Sequence, residues 1–502
     1  MYRSTRSDAP ALSPEAALIE GIAPDGGLYV PESLPNLAPA VLGSARLSYA
    51  ELSYLILKPF FSSFDDADLK AALAAQSERF PAETGPAPLS LKGDLGFLEL
   101  YHGPTLAFKD LALTLMGGLM GLARDKLGIK DEIVILVATS GDTGKAALEG
   151  LARPGYPANS IRVVVFYPSE GVSAVQKLQM TSHDAPGAKV IGIHGNFDDA
   201  QRGVKAIFAS RDAASFMAER RMRLSSANSI NIARLIPQIV YYAWGYRAMR
   251  DAGALGSDGL MDVAVPTGNF GNILAAWYAK QMGLPIGRLV CASNRNRVLT
   301  DFFGQNAYDR NRPFYKTESP SMDILVSSNL ERLVFHATGD DPRRTAGLMA
   351  ELSQKGRYAL SKGETEKLAD FRAGSADEEE AHEVMRRYYT DERYLMDPHT
   401  AVAVAVLDKL RADGLERRPT LVASTASPFK FPASVARAIG LVGAGGKAPL
   451  GPEAELDLAE RLAEAAGLEL PAAVRALRTA PVVHTSVVET ADMEKTLRGV
   501  LS

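Results

Sequence analysis

A short run of apolar residues limits the fold of this chain more than any other stretch. Residues 133–138 read Ile-Val-Ile-Leu-Val-Ala, and strands that are apolar at every position are typical of parallel sheets buried on both faces. A turn of small polar residues follows at 139–144, and a helix is expected to begin near Lys145. The same order recurs, with further strands predicted at residues 161–167, 189–194, 261–266, 288–293 and 419–424. This alternation predicts an α/β protein with a mostly parallel sheet.

Three segments depart from this alternation. Residues 1–95 are predicted to form a separate N-terminal domain, which ends in a linker. Residues 336–395 are helical in composition, carry an acidic run at 377–380 and contain no convincing buried strand. We interpret them as a helical insertion with a solvated face. The last fifty residues are rich in Ala, Leu and Glu and are expected to form closing helices.

Composition excludes several classes of protein. The formal net charge of -4 gives no reason to expect nucleic acid or an anionic membrane as a partner. The single cysteine, Cys291, excludes an internal disulfide and a cysteine-rich zinc site, and the seven histidines show no metal-ligand spacing. Because there is neither an apolar leader nor an apolar run of about 20 residues, we expect a cytoplasmic protein.

Lys109 is the strongest candidate for a reactive side chain. A strand is predicted at residues 96–101, Gly103-Pro104 makes a turn, and residues 111–122 are apolar enough for a buried helix. An ammonium ion at the start of a buried helix is disfavoured by the helix dipole and by desolvation. A neutral lysine amine is a nucleophile toward carbonyl compounds. A surface lysine whose stem packs on apolar neighbours explains the motif about as well.

The turn at residues 268–272, Gly-Asn-Phe-Gly-Asn, is a candidate anion site. It follows a predicted strand and opens a predicted helix, where backbone N–H groups and the helix dipole favour a negative charge. An ordinary turn between strand and helix is the commoner origin of so short a motif. The turn lacks the third glycine of a dinucleotide fingerprint.

Two other turns have the composition of anion sites. Residues 139–144 offer hydroxyls and backbone donors that suit a carboxylate, whereas the glycine spacing and Ala146 exclude a nucleotide P-loop. Residues 225–234 contain six polar residues, of which the Ser and Asn residues are partly explained as helix caps. Arg234 suits bidentate phosphate recognition, although an exposed arginine in a salt bridge is an equally good explanation.

Taken in order, these motifs resemble the threonine synthase family, in its longer bacterial and fungal form. Residues 4–6 and 25–31 look like the N-terminal domain of that family, and residues 102–110 are similar to its pyridoxal-phosphate lysine motif. Residues 139–144, 268–272 and 397–400 also match in order and content. The resemblance implies the α/β architecture of fold type II pyridoxal-phosphate enzymes, like the β subunit of tryptophan synthase. It implies a large domain of residues 96–138 and 245–502 and a small domain of residues 139–244.

The resemblance also implies a set of site residues. Lys109 binds pyridoxal 5′-phosphate covalently, and a neutral Thr425 hydroxyl faces the pyridine nitrogen and leaves it unprotonated. Many relatives carry His where this chain has Ser427, so the contacts after Thr425 are open. The implied cofactor contacts are Phe108, Lys109, Asp142, Gly268, Asn269, Phe270, Gly271, Asn272 and Thr425. The substrate carboxylate is expected at Ser140, Gly141, Asp142 and Thr143, and the substrate phosphate at Ser226, Asn228, Ser229 and Arg234.

The family reaction converts O-phospho-L-homoserine and water to L-threonine and phosphate, the last step of threonine biosynthesis. One alternative is a threonine-synthase-like lyase that releases 2-oxobutyrate and phosphate from the same substrate. An alternative of another class is a catalytically silent binding module that keeps the fold. The expected partner is the small-molecule substrate, with no nucleic acid, membrane or metal, and the expected assembly is a monomer or homodimer.

Overall fold

The computed structural model describes residues 1–43, 46–139, 141–152, 161–170, 172–442 and 451–502. Strands and helices alternate through most of these ranges, as the sequence predicts. The strands are β1 (Tyr2–Ser4), β2 (Tyr29–Pro31), β3 (Leu89–Lys92), β4 (Leu95–Glu99), β5 (Glu132–Ala138), β6 (Ile161–Pro168), β7 (Ala188–His194), β8 (Met222–Ser226), β9 (Met261–Pro266), β10 (Ile286–Ser293), β11 (Ala307–Asp309), β12 (Arg357–Ala359), β13 (Phe371–Ser375), β14 (Thr420–Ser424) and β15 (Val487–Glu489).

The helices surround these strands. The α-helices are α1 (Pro14–Glu20), α2 (Ala38–Leu42), α3 (Tyr49–Leu57), α4 (Asp66–Ser77), α5 (Asp110–Lys126), α6 (Asp142–Leu151), α7 (Ala174–Thr181), α8 (Phe197–Ala209), α9 (Arg211–Glu219), α10 (Ile232–Leu235), α11 (Gln238–Asp251), α12 (Gly271–Gln281), α13 (Val298–Gln305), α14 (Leu330–Ala337), α15 (Pro342–Lys355), α16 (Lys362–Glu366), α17 (Glu378–Glu392), α18 (Pro398–Ala412), α19 (Pro432–Ala438), α20 (Pro452–Ala466), α21 (Ala472–Arg475) and α22 (Met493–Leu501). Short 3-10 helices lie at Pro320–Met322, Pro428–Lys430, Ala476–Arg478 and Thr490–Asp492.

The larger sheet has six strands in the order β13–β10–β9–β14–β4–β3. All neighbours are parallel except β3, which pairs antiparallel with β4. Successive residues of β9 face different cores: Val263 and Val265 pack with residues of α11 and α12, whereas Ala264 packs with residues of α18. Because helices cover both faces, these strands need an apolar residue at almost every position.

The second sheet has five parallel strands in the order β15–β7–β6–β5–β8. The apolar run in β5 serves two cores in the same way. Ile133 and Ile135 share a core with the helix α5, whereas Val134 and Leu136 pack with residues of α8, α9 and α22. Two small antiparallel pairs, β1–β2 and β11–β12, lie outside these sheets.

The position of β5 corrects one prediction. The domain bounds that the family resemblance implies place residues 133–138 in the large domain. In the structure, β5 pairs with β6 and β8 in the five-stranded sheet. Parallel neighbours such as β5 and β6 are joined by a crossover, here through α6, and that connection keeps both strands in one sheet. The chain therefore enters the second sheet before the turn at 139–144.

Two short edge strands lie in segments that are predicted to be helical. The strand β13 lies inside residues 336–395, but only one of its residues is buried, so it does not contradict the expectation that this segment lacks a buried strand. The strand β15 lies in the C-terminal segment, where the prediction of helices alone is wrong. Each strand pairs with a single neighbour, β13 with β10 and β15 with β7. An edge strand need not be apolar throughout, and Phe371 is the only buried residue of β13.

The N-terminal helices pack on α5, the helix that follows Lys109. Leu18 of α1 and Leu69 of α4 share a core with Leu111 and Leu115 of α5. The Gln76 side-chain amide donates a hydrogen bond of 2.5 Å to the Leu111 carbonyl oxygen. The N-terminal segment therefore supports the element that carries the candidate lysine. Within the described ranges, no helix is long and apolar enough to cross a membrane.

Candidate active site

The segment between β4 and α5 holds Lys109 in a fixed backbone conformation. Asp110, the first residue of α5, accepts hydrogen bonds from the Thr105 backbone N–H at 2.8 Å and the Thr105 hydroxyl at 2.6 Å. A Cβ atom at Gly103 would lie 2.5 Å from the Asp110 carboxylate, so only glycine fits there. Leu106 adopts a left-handed φ of 61°. These contacts explain why the motif at 102–110 needs its particular residues.

The amine of Lys109 is buried among polar groups. The residue is only 9% exposed, which excludes the interpretation as a surface lysine. Its Nζ atom lies 3.1 Å from Asp142 Oδ2 and 3.2 Å from Ser321 Oγ. Burial lowers the pKa of Lys109 below its ordinary value, and the Asp142 carboxylate only partly opposes this effect. A lysine with a lowered pKa spends more time as the nucleophilic amine.

Asp142 lies between two lysines at the start of α6. Its Oδ1 atom is 2.9 Å from Lys430 Nζ and accepts a 2.8 Å hydrogen bond from the Gln176 amide. Its Oδ2 atom accepts a 3.1 Å hydrogen bond from the Ser321 hydroxyl in addition to the Lys109 contact. Burial alone would raise the pKa of Asp142, but its contacts with Lys109 and Lys430 hold that pKa well below its usual range.

The turn at 139–144 is closed mainly by its own hydrogen bonds. The Thr139 hydroxyl accepts from the backbone N–H of Gly141 at 2.9 Å and of Gly144 at 3.0 Å. Of the residues predicted to bind the substrate carboxylate, Thr143 lines the central cavity. The Gly141 N–H and the Asp142 carboxylate are engaged elsewhere, as described above, and Ser140 lies outside the described residues.

The turn at 268–272 offers a row of free backbone donors. None of its five backbone N–H groups donates a hydrogen bond within the described part of the protein. The turn follows β9 and leads into α12, with Phe270 in a left-handed conformation at φ 65°. A Cβ atom at Gly268 would lie 2.3 Å from the Ser321 carbonyl oxygen, so this position requires glycine. Unpaired N–H groups at a helix start are the arrangement that binds phosphate groups.

Asn272 supports the same turn from within α12. Its side-chain oxygen accepts hydrogen bonds from the hydroxyls of Tyr241, at 2.7 Å, and Tyr242. Its side-chain Nδ2 is buried and has no hydrogen-bond partner in the described part of the chain. A buried amide without a partner is costly, so this donor also points to a bound group.

Thr425 and Phe108 are held together beside Lys109. The Phe108 backbone N–H donates a 2.9 Å hydrogen bond to the Thr425 carbonyl oxygen, and both side chains line the cavity. The Thr425 hydroxyl makes no hydrogen bond to any described residue, so it is free to meet a ligand. Ser427 is not among the residues that line the cavity; its hydroxyl caps the 3-10 helix Pro428–Lys430 by accepting from the Phe429 N–H at 3.3 Å.

Arg234 is buried and lacks an acidic partner among the described residues, which excludes the exposed salt bridge. The residue is 3% exposed, and its Nη1 donates a 2.6 Å hydrogen bond to the Ala227 carbonyl oxygen. Its Nε is buried without any partner in the described ranges. Burial lowers the pKa of Arg234 to about 10, which leaves the guanidinium charged at neutral pH.

Most of the predicted site residues line one cavity of about 520 Å³. They are Phe108, Lys109, Thr143, Ser226, Asn228, Ser229, Arg234, Gly268, Asn269, Phe270, Gly271, Asn272 and Thr425. Sequence reasoning missed Ser321, Lys205 and His399, which line the same cavity, and Lys430, which lies behind Asp142. Within the described ranges, no group of three His, Cys, Asp or Glu residues could hold a metal ion.

The missed residues have different signals in the sequence. His399 lies in the motif at 397–400; its Nδ1 contacts the Asp397 carboxylate at 2.7 Å and its Nε2 accepts from the Ser321 N–H at 3.3 Å. Lys430 follows closely after the end of β14, at the carboxyl edge of a parallel sheet where ligands bind. Lys205 lies on α8 and makes no ion pair or hydrogen bond with any described residue. No sequence pattern marks Lys205.

Three family models match the chain. The model described as Threonine synthase N terminus matches residues 1–76, Pyridoxal-phosphate dependent enzyme matches residues 83–425, and Threonine synthase, C-terminal matches residues 400–495. The threonine synthase of Pseudomonas aeruginosa is 41% identical over 466 residues, which cover 92% of this chain and 94% of that protein. The chain belongs to the threonine synthase family. The prediction of a pyridoxal-phosphate enzyme of fold type II is therefore confirmed.

Solved structures of threonine synthases agree with this fold. The pyridoxal-phosphate-bound threonine synthase of Brucella melitensis superposes with a TM-score of 0.84 and 34% identity, covering 99% of this chain and 98% of that one. The threonine synthase of yeast gives a TM-score of 0.85 and 31% identity, covering 100% and 98%. Human threonine synthase-like 1 is 39% identical over 84% of this chain, which corresponds to 57% of that protein.

Proposed function

We propose that this threonine synthase family member converts O-phospho-L-homoserine and water to L-threonine and phosphate. The observation that carries the proposal is the combination of groups in one cavity. It is lined by a buried lysine amine, by the row of backbone donors at 268–272 and by the guanidinium of Arg234, whose Nε has no partner among the described residues. A cofactor with a phosphate and a substrate with another phosphate need two separate anion sites beside one amine.

Pyridoxal phosphate, when bound, supplies the aldehyde that takes up the lysine or substrate amine and the electron sink for carbanion chemistry. The residues present fit this group. The turn at 268–272 and the Asn272 amide would hold its phosphate, Thr425 would face its ring nitrogen, and Phe108 would pack beside it. The Lys109 amine would bind the aldehyde carbon and, once released, move protons at Cα and Cβ of the substrate.

The substrate phosphate is assigned to Ser226, Asn228, Ser229 and Arg234. The free Nε of Arg234 supports this assignment, because a guanidinium forms paired hydrogen bonds with phosphate oxygens. Lys205, which pairs with none of the described residues, adds a second cation to the wall of the cavity. Phosphate leaves from Cγ and water adds at Cβ, so a phosphate that stays bound after departure would lie near the entering water and help to activate it.

The substrate carboxylate is assigned to the start of α6. Thr143 lines the cavity, and the backbone N–H groups of Asp142 and Thr143 donate no hydrogen bond within the described residues. Free N–H groups and the positive end of the helix dipole suit a carboxylate. Gly141 and Ser140 complete the predicted turn.

Two measurements test the proposal. Threonine and 2-oxobutyrate should be quantified after incubation with O-phospho-L-homoserine, and threonine should dominate. The cofactor-loaded protein should also be reduced with borohydride and its peptides mapped, and the added mass should lie on Lys109. A product that is mainly 2-oxobutyrate would favour the phospho-lyase, and a protein with no attached cofactor would favour the binding module. The similarity to threonine synthase-like 1 makes the product measurement necessary.

The cytoplasmic location and the monomeric or homodimeric state stay predictions. Size-exclusion chromatography with light scattering measures the second directly.

A further inference from the structure

A second lysine beside Asp142 is fully buried. Lys430 ends the 3-10 helix Pro428–Lys430 and has no exposed surface. Its Nζ lies 2.7 Å from the Thr105 carbonyl oxygen, 2.9 Å from Asp142 Oδ1 and 3.3 Å from Gln179 Oε1. An ammonium group has three N–H donors, and here each has an acceptor, one of them a carboxylate. These hydrogen bonds and the opposite charge offset the cost of burying an ammonium group.

The two oxygens of Asp142 divide the lysines between them. Oδ1 faces Lys430 and Gln176, and Oδ2 faces Lys109 and Ser321. If Asp142 faced Lys109 alone, their attraction would hold Lys109 as an ammonium ion, which cannot attack a carbonyl carbon. One carboxylate shared by two buried lysines can neutralise only one of them.

We propose that Lys430 is the permanent counter-ion of Asp142 and that this pairing leaves the Lys109 amine uncharged and nucleophilic. The inference rests on the proposed role of Lys109 as the cofactor lysine. Lys430 is a positioning residue, since it acts on Lys109 mainly through their shared partner Asp142. It also bonds the carbonyl of Thr105, in the segment that carries Lys109, so a purely structural role has to be separated by experiment.

The charged groups around Lys109 are consistent with this division. Asp142 faces it from α6, Lys430 from the 3-10 helix and Arg234 from α10, while Asp110 on its own helix is bound by Thr105. Burial is the main cause of the lowered pKa of Lys109, and the positive charges of Arg234 and Lys430 add to it. Only Asp142 acts in the opposite direction.

The test measures the protonation of Lys109 in the cofactor-free protein. Trace acetic anhydride labels neutral amines only, so the labelled fraction of the Lys109 peptide, followed by mass spectrometry against pH, gives the titration midpoint of this amine. We expect a midpoint in the parent below the ~10.4 of an ordinary lysine. In Lys430→Met the midpoint should rise by about one pH unit or more, because Asp142 then pairs with Lys109 alone. Lys430→Arg, which keeps the charge, should stay close to the parent.

Three further variants separate charge from structure. Lys430→Gln keeps a hydrogen-bond donor without the charge. If Lys430→Met does not fold, the titration midpoint of Lys109 is measured in Lys430→Gln instead. The double variant Lys430→Met with Asp142→Asn should lose the upward shift, since no carboxylate remains to hold Lys109 charged. Lys145→Met is the matched control. Lys145 lies on helix α6, which also carries Asp142, but it is largely buried against Glu149 and pairs with that residue rather than with Asp142. Its loss should leave the midpoint of Lys109 unchanged.

Two results would overturn the inference: an unchanged midpoint in the neutral Lys430 variants, or an upward shift that persists when Asp142 is also replaced. Failure of the proposed function looks different. Borohydride reduction of the parent with pyridoxal phosphate would then attach the cofactor to a residue other than Lys109. If borohydride attaches the cofactor to Lys109 but the titration midpoint of Lys109 is the same in the neutral Lys430 variants as in the parent, only the role of Lys430 is rejected and the proposed function stands.

Discussion

The two phosphate sites proposed for the cavity, called the two anion sites below, are built from different parts of the chain. The turn at 268–272 presents five neutral backbone N–H groups, and its carbonyl oxygens are tied down by hydrogen bonds from Ser327 at 2.7 Å and Asn329 at 3.1 Å. The cluster at 226–234 relies on side chains, with one buried guanidinium at its centre. The first site has fixed geometry without a full charge, and the second has a full charge on a side chain.

This difference matches the two anions assigned to the sites. A cofactor phosphate stays bound through many turnovers, so a rigid backbone site suits it. A substrate phosphate must be bound, released from carbon and then discharged as product. A charged side chain binds such an anion strongly. The backbone around that side chain can still change conformation between the substrate-bound and product-bound states. Changes at one site should therefore be felt little at the other, and each prediction below tests that separation.

The largest effect is expected for Lys109→Ala, which leaves both anion sites intact. Threonine formation should fall by roughly 10²–10⁴-fold or more, because the group proposed to transfer protons is absent. Pyridoxal phosphate should still bind without a covalent link, and inorganic phosphate should still bind at the Arg234 cluster. Steady-state rates measure the first property, absorbance with borohydride mapping the second, and calorimetric titration with inorganic phosphate the third. Turnover at a substantial fraction of the parent rate would contradict the assignment of Lys109.

The Lys109 motif could be predicted because its determinants are local. Gly103, Thr105 and Asp110 fix the backbone around Lys109 through contacts with one another, so the sequence of the motif carries the geometry. The segments at 225–234 and 268–272 can also be recognised from the sequence, since each lies between a strand and a helix. The parallel sheets were predictable for a similar reason, as strands buried on both faces are apolar throughout.

The missed features depend on residues that are distant in the sequence. The role proposed for Lys430 depends on its contact with Asp142, which lies in helix α6 after a strand of the other sheet. No local sequence pattern predicts this contact. The edge strands β13 and β15 are short and together have one buried residue, so neither shows the apolar run that identifies a central strand. The sequence of β5 identifies a buried strand but not the sheet to which it belongs, because pairing partners are not encoded in a single strand.

Gly268→Ala should weaken cofactor binding at the turn 268–272, the backbone site, without changing phosphate binding at the cluster 226–234, the side-chain site. The added Cβ would lie 2.3 Å from the Ser321 carbonyl oxygen, and a backbone atom cannot yield as a flexible side chain does. Overpacking of this kind costs about 1–3 kcal/mol. We expect the free energy of cofactor binding to weaken by about 3 kcal/mol, the upper end of this range. A titration with pyridoxal phosphate measures it. Gly304→Ala is the matched control, since Gly304 in helix α13 has open space around its Cβ position.

At saturating cofactor, inhibition of Gly268→Ala by inorganic phosphate should equal that of the parent. If phosphate inhibition weakens together with cofactor affinity, the two sites are not independent and the comparison fails.

Arg234→Lys tests the side-chain site. Lysine keeps the charge but loses the paired geometry, so phosphate binding should weaken by roughly 1–3 kcal/mol, the range for hydrogen bonds to charged groups. The loss should appear in turnover as well as in KM, because the bound phosphate is proposed to help the water step. Arg202→Lys is the control, since Arg202 lies exposed on α8 and pairs with Asp199. Identical phosphate inhibition in Arg234→Lys and the parent would remove Arg234 from the site.

Thr425→Asp should have the smallest effect on rate and should leave both anion sites unchanged. Thr425 is 6% exposed and its hydroxyl has no partner among the described residues, so a carboxylate there would be buried and unpaired. Such a group becomes an anion only if a cation meets it, and a protonated ring nitrogen is the cation that the bound cofactor offers. The charge should raise the pKa of that nitrogen by about 1–3 units. A stronger electron sink should favour release of 2-oxobutyrate over threonine.

The measurement is the ratio of 2-oxobutyrate to threonine from O-phospho-L-homoserine, with Thr425→Ser as the control that keeps the hydroxyl. The ratio should rise in the aspartate variant and stay at the parent value in the serine variant. Cofactor affinity and phosphate inhibition should be the same in all three proteins, because Thr425 belongs to neither anion site. An unchanged ratio with cofactor still bound would show that Thr425 does not meet the ring nitrogen. A change in phosphate inhibition would instead show that the side-chain site extends as far as Thr425, and the boundary between the two sites would have to be redrawn.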